Sequence, residues 1–306
     1  MKAILEELIW RWAQRRHGRA AARVLATPPR VPGDDGLILF SMIGTRVLAP
    51  YLVAAKSLHH HLGRGRFVVL DDGTLTASDR AALAHHLGNP RVLALSDIDT
   101  GPAPRGGTWE RLLTILDLRA GDYVIQLDSD TVTMGPVPEV VAAIDAARSF
   151  TLFGDANSAG LGVLPVAGFV SLHHAPDPRV SAHVQTRIEA VLADVAIPGL
   201  KYIRGCSGFA GFAPSDAGRS LAEAFSREAE RLLGPAKWSE WGSEQVTSNM
   251  VIANDLDPAS LPYDRYTNFW NTPLGPDVAF AHFVGTYRHH GRAYLDATRA
   301  AIAALG

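Results

Sequence analysis

DYVIQLDSDTV, residues 122–132, is the stretch whose reading decides the fold. Tyr123, Val124, Ile125 and Leu127 make a short apolar run, the pattern of a strand buried on both faces. The run ends in two carboxylates, Asp128 and Asp130, one residue apart. Alternate side chains of an extended segment share a face, so both can aim at one point. Two anions held together at the mouth of a buried strand repel each other and call for a cation. A hard divalent metal carrying a phosphate ester would supply it.

The segments before this stretch alternate between strand and helix. Strands are expected at 37–43, 67–70 and 91–95. Between the first two, Leu48, Leu52, Ala55, Leu58 and Leu62 follow helical spacing, and 75–87 is helical. Thr108 is placed to cap a helix running through Leu118, with Leu112, Ile115 and Leu116 facing the core. This alternation predicts an α/β fold, a mostly parallel sheet with flanking helices. Ligands of such sheets sit beyond the carboxyl ends of the strands, where Asp128 and Asp130 lie.

After the acidic pair the pattern is less regular. It predicts a helix at 136–147, a strand at 150–153 ending near Asp155, and loop plus strand at 161–172. Val180, Val184, Ile188 and Val191 mark a helix, 209–212 a strand, and Leu221, Phe225 and Leu232 a charged surface helix. Residues 244–253 read as helix, 278–284 as a late strand, and 294–305 as a closing helix.

At the other end, residues 1–26 read as a helix on which Ile4, Leu5, Leu8, Ile9 and Trp12 form an apolar stripe. Lys2, Arg11, Arg15, Arg16, Arg19, Arg23 and Arg30 outnumber Glu6 and Glu7 there. An apolar stripe with Trp10, Trp12 and many arginines suits an anionic membrane surface; the plain alternative is a helix docked on its own domain or a dimer mate. TPPRVPGDD, 27–35, is a Pro/Gly linker. The expected organisation is an amphipathic helix and linker over 1–35 and one domain over 36–306.

Composition sets the outer bounds. Of 306 residues 47% are apolar and 20% charged, ordinary for a globular chain with a sizeable core. A formal charge of −2 argues against nucleic acid as a partner, which needs a basic surface. The single cysteine, Cys206, forbids an intramolecular disulfide and suits a reducing compartment. No run approaches the length of a membrane span, and residues 1–26 lack a signal peptide's apolar block, so a cytoplasmic location is expected, with the inner membrane face as the place for any peripheral contact.

The spacing Asp-x-Asp is weak by itself, and it recurs at Asp97/Asp99 and Asp255/Asp257. Asp255/Asp257 lies in a polar turn before a proline and reads as a solvated loop. Asp97/Asp99 follows VLAL but leads into TGPAPRGG, a flexible connection. Only Asp128/Asp130 has apolar flanks on both sides, Val132 and Met134 included. Its bland reading is a strand-end turn with capping carboxylates.

Three segments in order resemble retaining nucleotide-sugar glycosyltransferases of the GT-A (Rossmann-like) fold, family 8. LDSD at 127–130 is similar to the family's acidic metal motif. EQVTSN at 244–249 looks like its acidic-residue–Gln segment with a downstream Asn. HFVGTYR at 282–288 looks like its late His-x-x-Gly-x-x-Lys motif, with arginine in place of lysine. The resemblance is loose over about 36–292 and absent from the first helix.

Carried over residue by residue, it implies that Asp128, Asp130 and His282 bind a divalent metal. The metal is Mn²⁺, or Mg²⁺; imidazole tips the choice toward Mn²⁺. The donor is a UDP-sugar. Ser41 and Ile43 would meet its base and ribose, and Arg111, Ser129, Gly285 and Arg288 its diphosphate. Glu244 and Gln245 would flank the reacting sugar, with Asp155 and Asn157 near its hydroxyls. Glu244 is one methylene longer than the usual aspartate, which weakens it as a nucleophile. Arg288 binds phosphate as a planar fork rather than a point charge. Each residue has a bland counterpart: a core histidine for His282, a first-turn helix carboxylate for Glu244, a surface helix arginine for Arg111.

Trp238, Trp241, Tyr266 and Trp270 are candidates for an aromatic acceptor platform, although such residues more often pack. GCSGF around Ser207 lacks the last glycine of a nucleophile elbow, the glycines at Gly160 and Gly162 run into Pro165, and His59, His60 and His61 read as helix-surface residues. The acceptor stays open among a glycan, a lipid-linked sugar, a protein and a small molecule. Other readings are an inverting transferase with Asp155 or Glu244 as base, a sugar-phosphate nucleotidyltransferase, and a non-catalytic sugar-nucleotide binding protein.

Overall fold

The structure, a computed structural model, describes residues 2–173 and 183–306, with the side chains of 2–4 and of Thr286 outside the description. Ile4 of the apolar stripe and Val180 of the expected later helix therefore lie outside the described side chains.

In chain order the strands are β1 (Leu37–Ile43), β2 (Arg66–Asp71), β3 (Arg91–Ala94), β4 (Tyr123–Leu127), β5 (Thr131–Thr133), β6 (Phe150–Phe153), β7 (Leu164–Pro165), β8 (Lys201–Tyr202), β9 (Gly205–Phe212), β10 (Ala259–Ser260), β11 (Tyr266–Asn268) and β12 (Phe280–His282). The chain forms two compact units. The first holds 1–94, 125–141 and 264–306; the second holds 95–124 and 142–263. The chain passes from one to the other inside β4.

In the first unit the strand order is β4-β1-β2-β3, and β1 pairs parallel with β2, as β2 does with β3. The helix Leu48–Leu62 covers it, with Tyr51, Leu52, Ala55 and Leu58 sealed from solvent. Gly63, left-handed at φ 69°, ends that helix. A second small sheet, β11-β12-β5, carries the end of the chain back against the residues that follow the acidic pair. The first helix, Lys2–Ala21, packs on the closing helix Ala293–Ala304 of the same unit. His17 fastens it, stacked 3.7 Å from the Tyr294 ring and 3.0 Å from Thr298 Oγ1.

In the second unit the order is β10-β6-β9, with β10 parallel and β9 antiparallel to β6. The helix Ser243–Asn254 packs on β9. Gly211 of β9 has no room for a side chain, because a Cβ would lie 2.3 Å from the Phe150 ring. No helix among the described residues is long and apolar enough to cross a membrane.

Several local expectations are corrected. Residues 161–172, read as loop plus strand, hold two strand residues and the helix Val166–Leu172, whose Phe169 is buried against Tyr202. Burial of an aromatic on one helical face overrides the short apolar run. The late strand is Phe280–His282 alone. Thr108 does not cap its helix through its side chain; at φ 75° its hydroxyl turns to Glu244 Oε2, 2.9 Å away. His59 is buried against Phe67 rather than exposed on its helix. Asp255 is no solvated loop residue, since it holds Arg119 at 2.8 Å and accepts from Ser149 Oγ at 2.6 Å. Trp238 and Tyr266 are fully buried and offer no platform, whereas Trp241 and Trp270 are exposed.

Candidate active site

The acidic pair begins where β4 ends. Thr131 Oγ1 donates to the Asp128 carbonyl at 2.9 Å and closes a turn that leads directly into β5. β5 pairs antiparallel with β12, so His282 lies opposite Thr131. The Phe283 amide then donates to the Asp130 carbonyl at 2.8 Å. Strand register thus brings together residues some 150 positions apart in the chain. His282 Nε2 lies 3.3 Å from Asp130 Oδ1 and 4.0 Å from Asp128 Oδ2. One ligand atom from each of the three residues falls within 4.8 Å of the others, a spacing that suits a common cation.

The donor set is also chemically prepared. β11 runs parallel to β12 and places Asn268 opposite His282. His282 Nδ1 lies 2.9 Å from Asn268 Oδ1, which can only accept. Nδ1 therefore carries a proton toward Asn268, and Nε2 is the ring atom that faces the two carboxylates. Burial works against the Asp130 carboxylate, but His282 and Arg288 outweigh it and hold its pKa below the usual range. Arg288 Nη2 reaches Asp130 Oδ2 at 2.5 Å. Asp128 keeps more solvent exposure than Asp130. Two carboxylates and one oriented imidazole fit Mn²⁺, and the carboxylates alone would suit Mg²⁺.

Around this cluster, Gly285 is exposed at φ 32° with nothing within 4 Å of where a Cβ would stand. The Ser129 carbonyl lies 3.5 Å from the Tyr294 hydroxyl. Ser41 and Ile43 are buried at the end of β1; Ser41 Oγ donates to the Leu127 carbonyl at 2.6 Å. The Ser41 side chain thus braces β1 against β4. Gly44 follows, where a Cβ would strike Asp72 and Thr74 at 2.2–2.3 Å.

Glu244, Gln245 and Arg111 meet in the second unit. Glu244 opens the helix Ser243–Asn254 and is 1% exposed. Its Oε2 accepts from Arg111 Nη2 at 3.0 Å and from Thr108 Oγ1 at 2.9 Å. Arg111 Nη2 also reaches Ser207 Oγ at 3.1 Å. The next residue, Gln245, accepts from the Ser207 amide at 3.1 Å and donates to Gln185 Oε1 at 2.9 Å. Gln185 donates to Glu189 at 2.8 Å, and Glu189 in turn holds Tyr202 and Arg204. Arg204 reaches Asp155 at 3.3 Å. Asp155 also caps the short helix Ala156–Leu161 through the Ser158 amide. Burial raises the pKa of Glu189, yet His173, Arg204 and Gln185 hold it below the usual range.

No family model matches the chain, and no curated protein matches it. Solved structures do. An active-site Gln-to-Glu variant of LgtC superposes with a TM-score of 0.52 at 16% identity, over 87% of this chain and 95% of that one. The bifunctional glycosyltransferase WbbM gives 0.52 at 15% identity, over 90% of this chain and 51% of that one. The glycosyltransferase GlyE of Streptococcus pneumoniae TIGR4 gives 0.51 at 12%, over 86% of this chain and 59% of that one. The chain has the GT-A fold.

This chain spans about half of WbbM and rather more of GlyE, so it corresponds to one part of each. Within its GT-A fold, the exposed Asp97/Asp99 pair, which competes with Asp128/Asp130 in sequence, lies at the end of the 3-10 turn Leu95–Asp97 and in the loop after it, where Asp99 accepts from the Gly101 amide. It belongs to no group of potential metal ligands among the described residues. Asn268, beside the acidic cluster of the first unit, and Gln185 and Glu189, in the polar network of the second, are residues that motif reading overlooks. Asn268 had a faint signal, being one of two asparagines in YTNFWN before the histidine strand. Gln185 had none.

Proposed function

We propose that this chain is a metal-dependent glycosyltransferase that moves a hexose from a UDP-sugar to an acceptor with retention of anomeric configuration. The observation that carries the reading is the convergence of Asp128, Asp130 and His282, with Asn268 at Nδ1 orienting the imidazole so that Nε2 faces the two carboxylates. Bound there, Mn²⁺ would act as a Lewis acid on the diphosphate leaving group.

The protein's own groups do the rest. Asp128 and Asp130 supply anionic oxygen and His282 a neutral nitrogen. Arg288, paired with Asp130 at 2.5 Å, would stand beside the developing diphosphate charge and take it bidentately. Gly285 leaves the backbone open to a close phosphate approach. In the second unit, Glu244 is buried and already paired with Arg111 and Thr108. That supports a role in holding charge and geometry near the sugar, and fits front-side displacement better than attack by Glu244 itself. Gln245, locked between Ser207 and Gln185, offers fixed polar atoms to the sugar. A cytoplasmic location belongs to the same reading, since a lone cysteine suits a reducing compartment.

Asp130→Ala is the direct test. It should abolish Mn²⁺-dependent UDP binding in calorimetry, while Asp99→Ala leaves it intact. Unchanged binding in Asp130→Ala would overturn the metal assignment. Hydrolysis screened across UDP-sugars then names the donor, and an inverted anomer in the product by NMR would overturn retention.

A further inference from the structure

The first helix presents one outward face with two different halves. Leu5, Leu8, Ile9 and Trp12 are 59%, 59%, 57% and 61% exposed, and their spacing puts them on a single side. The same i, i+3, i+4 series continues into Arg15, Arg16 and Arg19, and Arg23 follows in the 3-10 turn Ala22–Ala26. The opposite side is occupied. Trp10 lies edge-on to His289 at 5.3 Å, and His17, Ala20, Ala21 and Val24 are buried. So the apolar half is not left over from an unpacked helix; the helix is docked, and this face remains.

The cationic half forms a cleft with the closing helix. Trp12, Arg15, Arg16, Arg19, Arg23 and Arg299 line about 330 Å³. Among the described residues none of these five arginines forms an ion pair. The nearby carboxylate that feels Arg16 and Arg299 is Asp296, itself held by Arg292 at 3.1 Å. Arg16 lies over the Trp12 ring, 5.2 Å from its centroid. Five guanidinium groups around one cleft repel each other, and an anion relieves that repulsion. Guanidinium suits phosphate, and the volume suits a phosphodiester headgroup.

We propose that this face docks on an anionic lipid bilayer, with Leu5, Leu8, Ile9 and Trp12 entering the acyl boundary and the arginine cleft seating lipid phosphates. Charge complementarity selects this occupant over a second copy of the chain. Two-fold pairing sets this face against itself, arginine half on arginine half, or arginine half on apolar half, and neither is complementary. The inference stands apart from the glycosyltransferase reading, since it uses none of that site's residues.

The test is flotation of the full chain with vesicles. Equal parts of phosphatidylcholine and phosphatidylglycerol should carry it up, and phosphatidylcholine alone should not. Arg19→Ala/Arg23→Ala, both exposed, should lower partitioning roughly thirtyfold with an unchanged melting temperature. Leu8→Ser/Trp12→Ser should lower it as well. Equal binding to neutral and anionic vesicles, or an unaffected arginine variant, overturns the proposal. So does saturation by inorganic phosphate without vesicle binding, which marks a soluble-phosphate site. A wild-type dimer by light scattering that the arginine variant dissolves, with no flotation, overturns it in favour of self-association.

Discussion

Asn268→Leu isolates the orientation of His282 from its presence. In the native protein the Nδ1–H of His282 is accepted at 2.9 Å by an amide oxygen that is itself buried. Leucine keeps most of the shape and removes the acceptor. The imidazole then loses its reason to carry the proton on Nδ1. The other tautomer puts it on Nε2, where Asp130 Oδ1 at 3.3 Å accepts it. A metal must reverse that choice before it can bind, and leave Nδ1–H buried without a partner at a cost of about 1–3 kcal/mol. Loss of such an outer partner typically weakens metal affinity about 10–100-fold, or about 1.4–2.7 kcal/mol. Calorimetric titration of Mn²⁺ in the presence of UDP reads this directly. Asn268→Asp retains an acceptor and should keep near-native affinity. An Asn268→Leu variant that folds and binds Mn²⁺ within twofold of wild type would refute the reasoning. If Asp weakened binding as much as Leu, packing rather than tautomer would be the cause.

Two further outcomes follow from buried charge. Arg111→Met strands Glu244, whose side chain is 1% exposed, and should cost about 3–5 kcal/mol in urea unfolding, most of it recovered by adding Glu244→Leu; a loss below about 1 kcal/mol would mean the pair is already neutralised by other groups. Burial, then His289 and Arg288, lower the His17 pKa from 6.5 to about 3, so the unfolded chain binds the extra proton between those values. Stability from this group is full above pH 6.5 and falls as the pH drops toward 3, with a slope approaching about 1.4 kcal/mol per pH unit. His17→Gln should flatten that limb of the acid unfolding curve, and an unchanged difference between pH 7 and pH 4 would count against a neutral buried His17.

Much of the fold was legible because its signals are local. The apolar run Tyr123–Leu127, the helical spacing of Leu52, Ala55 and Leu58, and the strand Leu37–Ile43 each depend on burial of one segment and are read within a few residues. The acidic pair Asp128/Asp130 was singled out by its apolar flanks, whereas His282 was reached only through the resemblance of HFVGTYR to a family motif. Where tertiary context decides, local reading failed. Phe169 turned 166–172 into helix by packing on Tyr202, and His59 was drawn inward by Phe67. Asn268 and Gln185 act through partners that only strand register and helix packing supply. Thr108 had the right identity for a cap, but Glu244, 136 residues later, claimed its hydroxyl.

The register of β12 on β5 has a consequence for the order of events during synthesis. Asp128 and Asp130 emerge from the ribosome about 150 residues before His282, and the ladder His282↔Thr131, Ala281↔Val132, Phe280↔Thr133 forms only once all three late residues are free. Until then the acidic pair stands without the His282 imidazole. A slip of one residue in this short ladder would turn His282 to the opposite side of the sheet. Under the proposed metal assignment, capture would wait for His282: a truncated or misregistered product would lack the third ligand, whatever the state of its first strands.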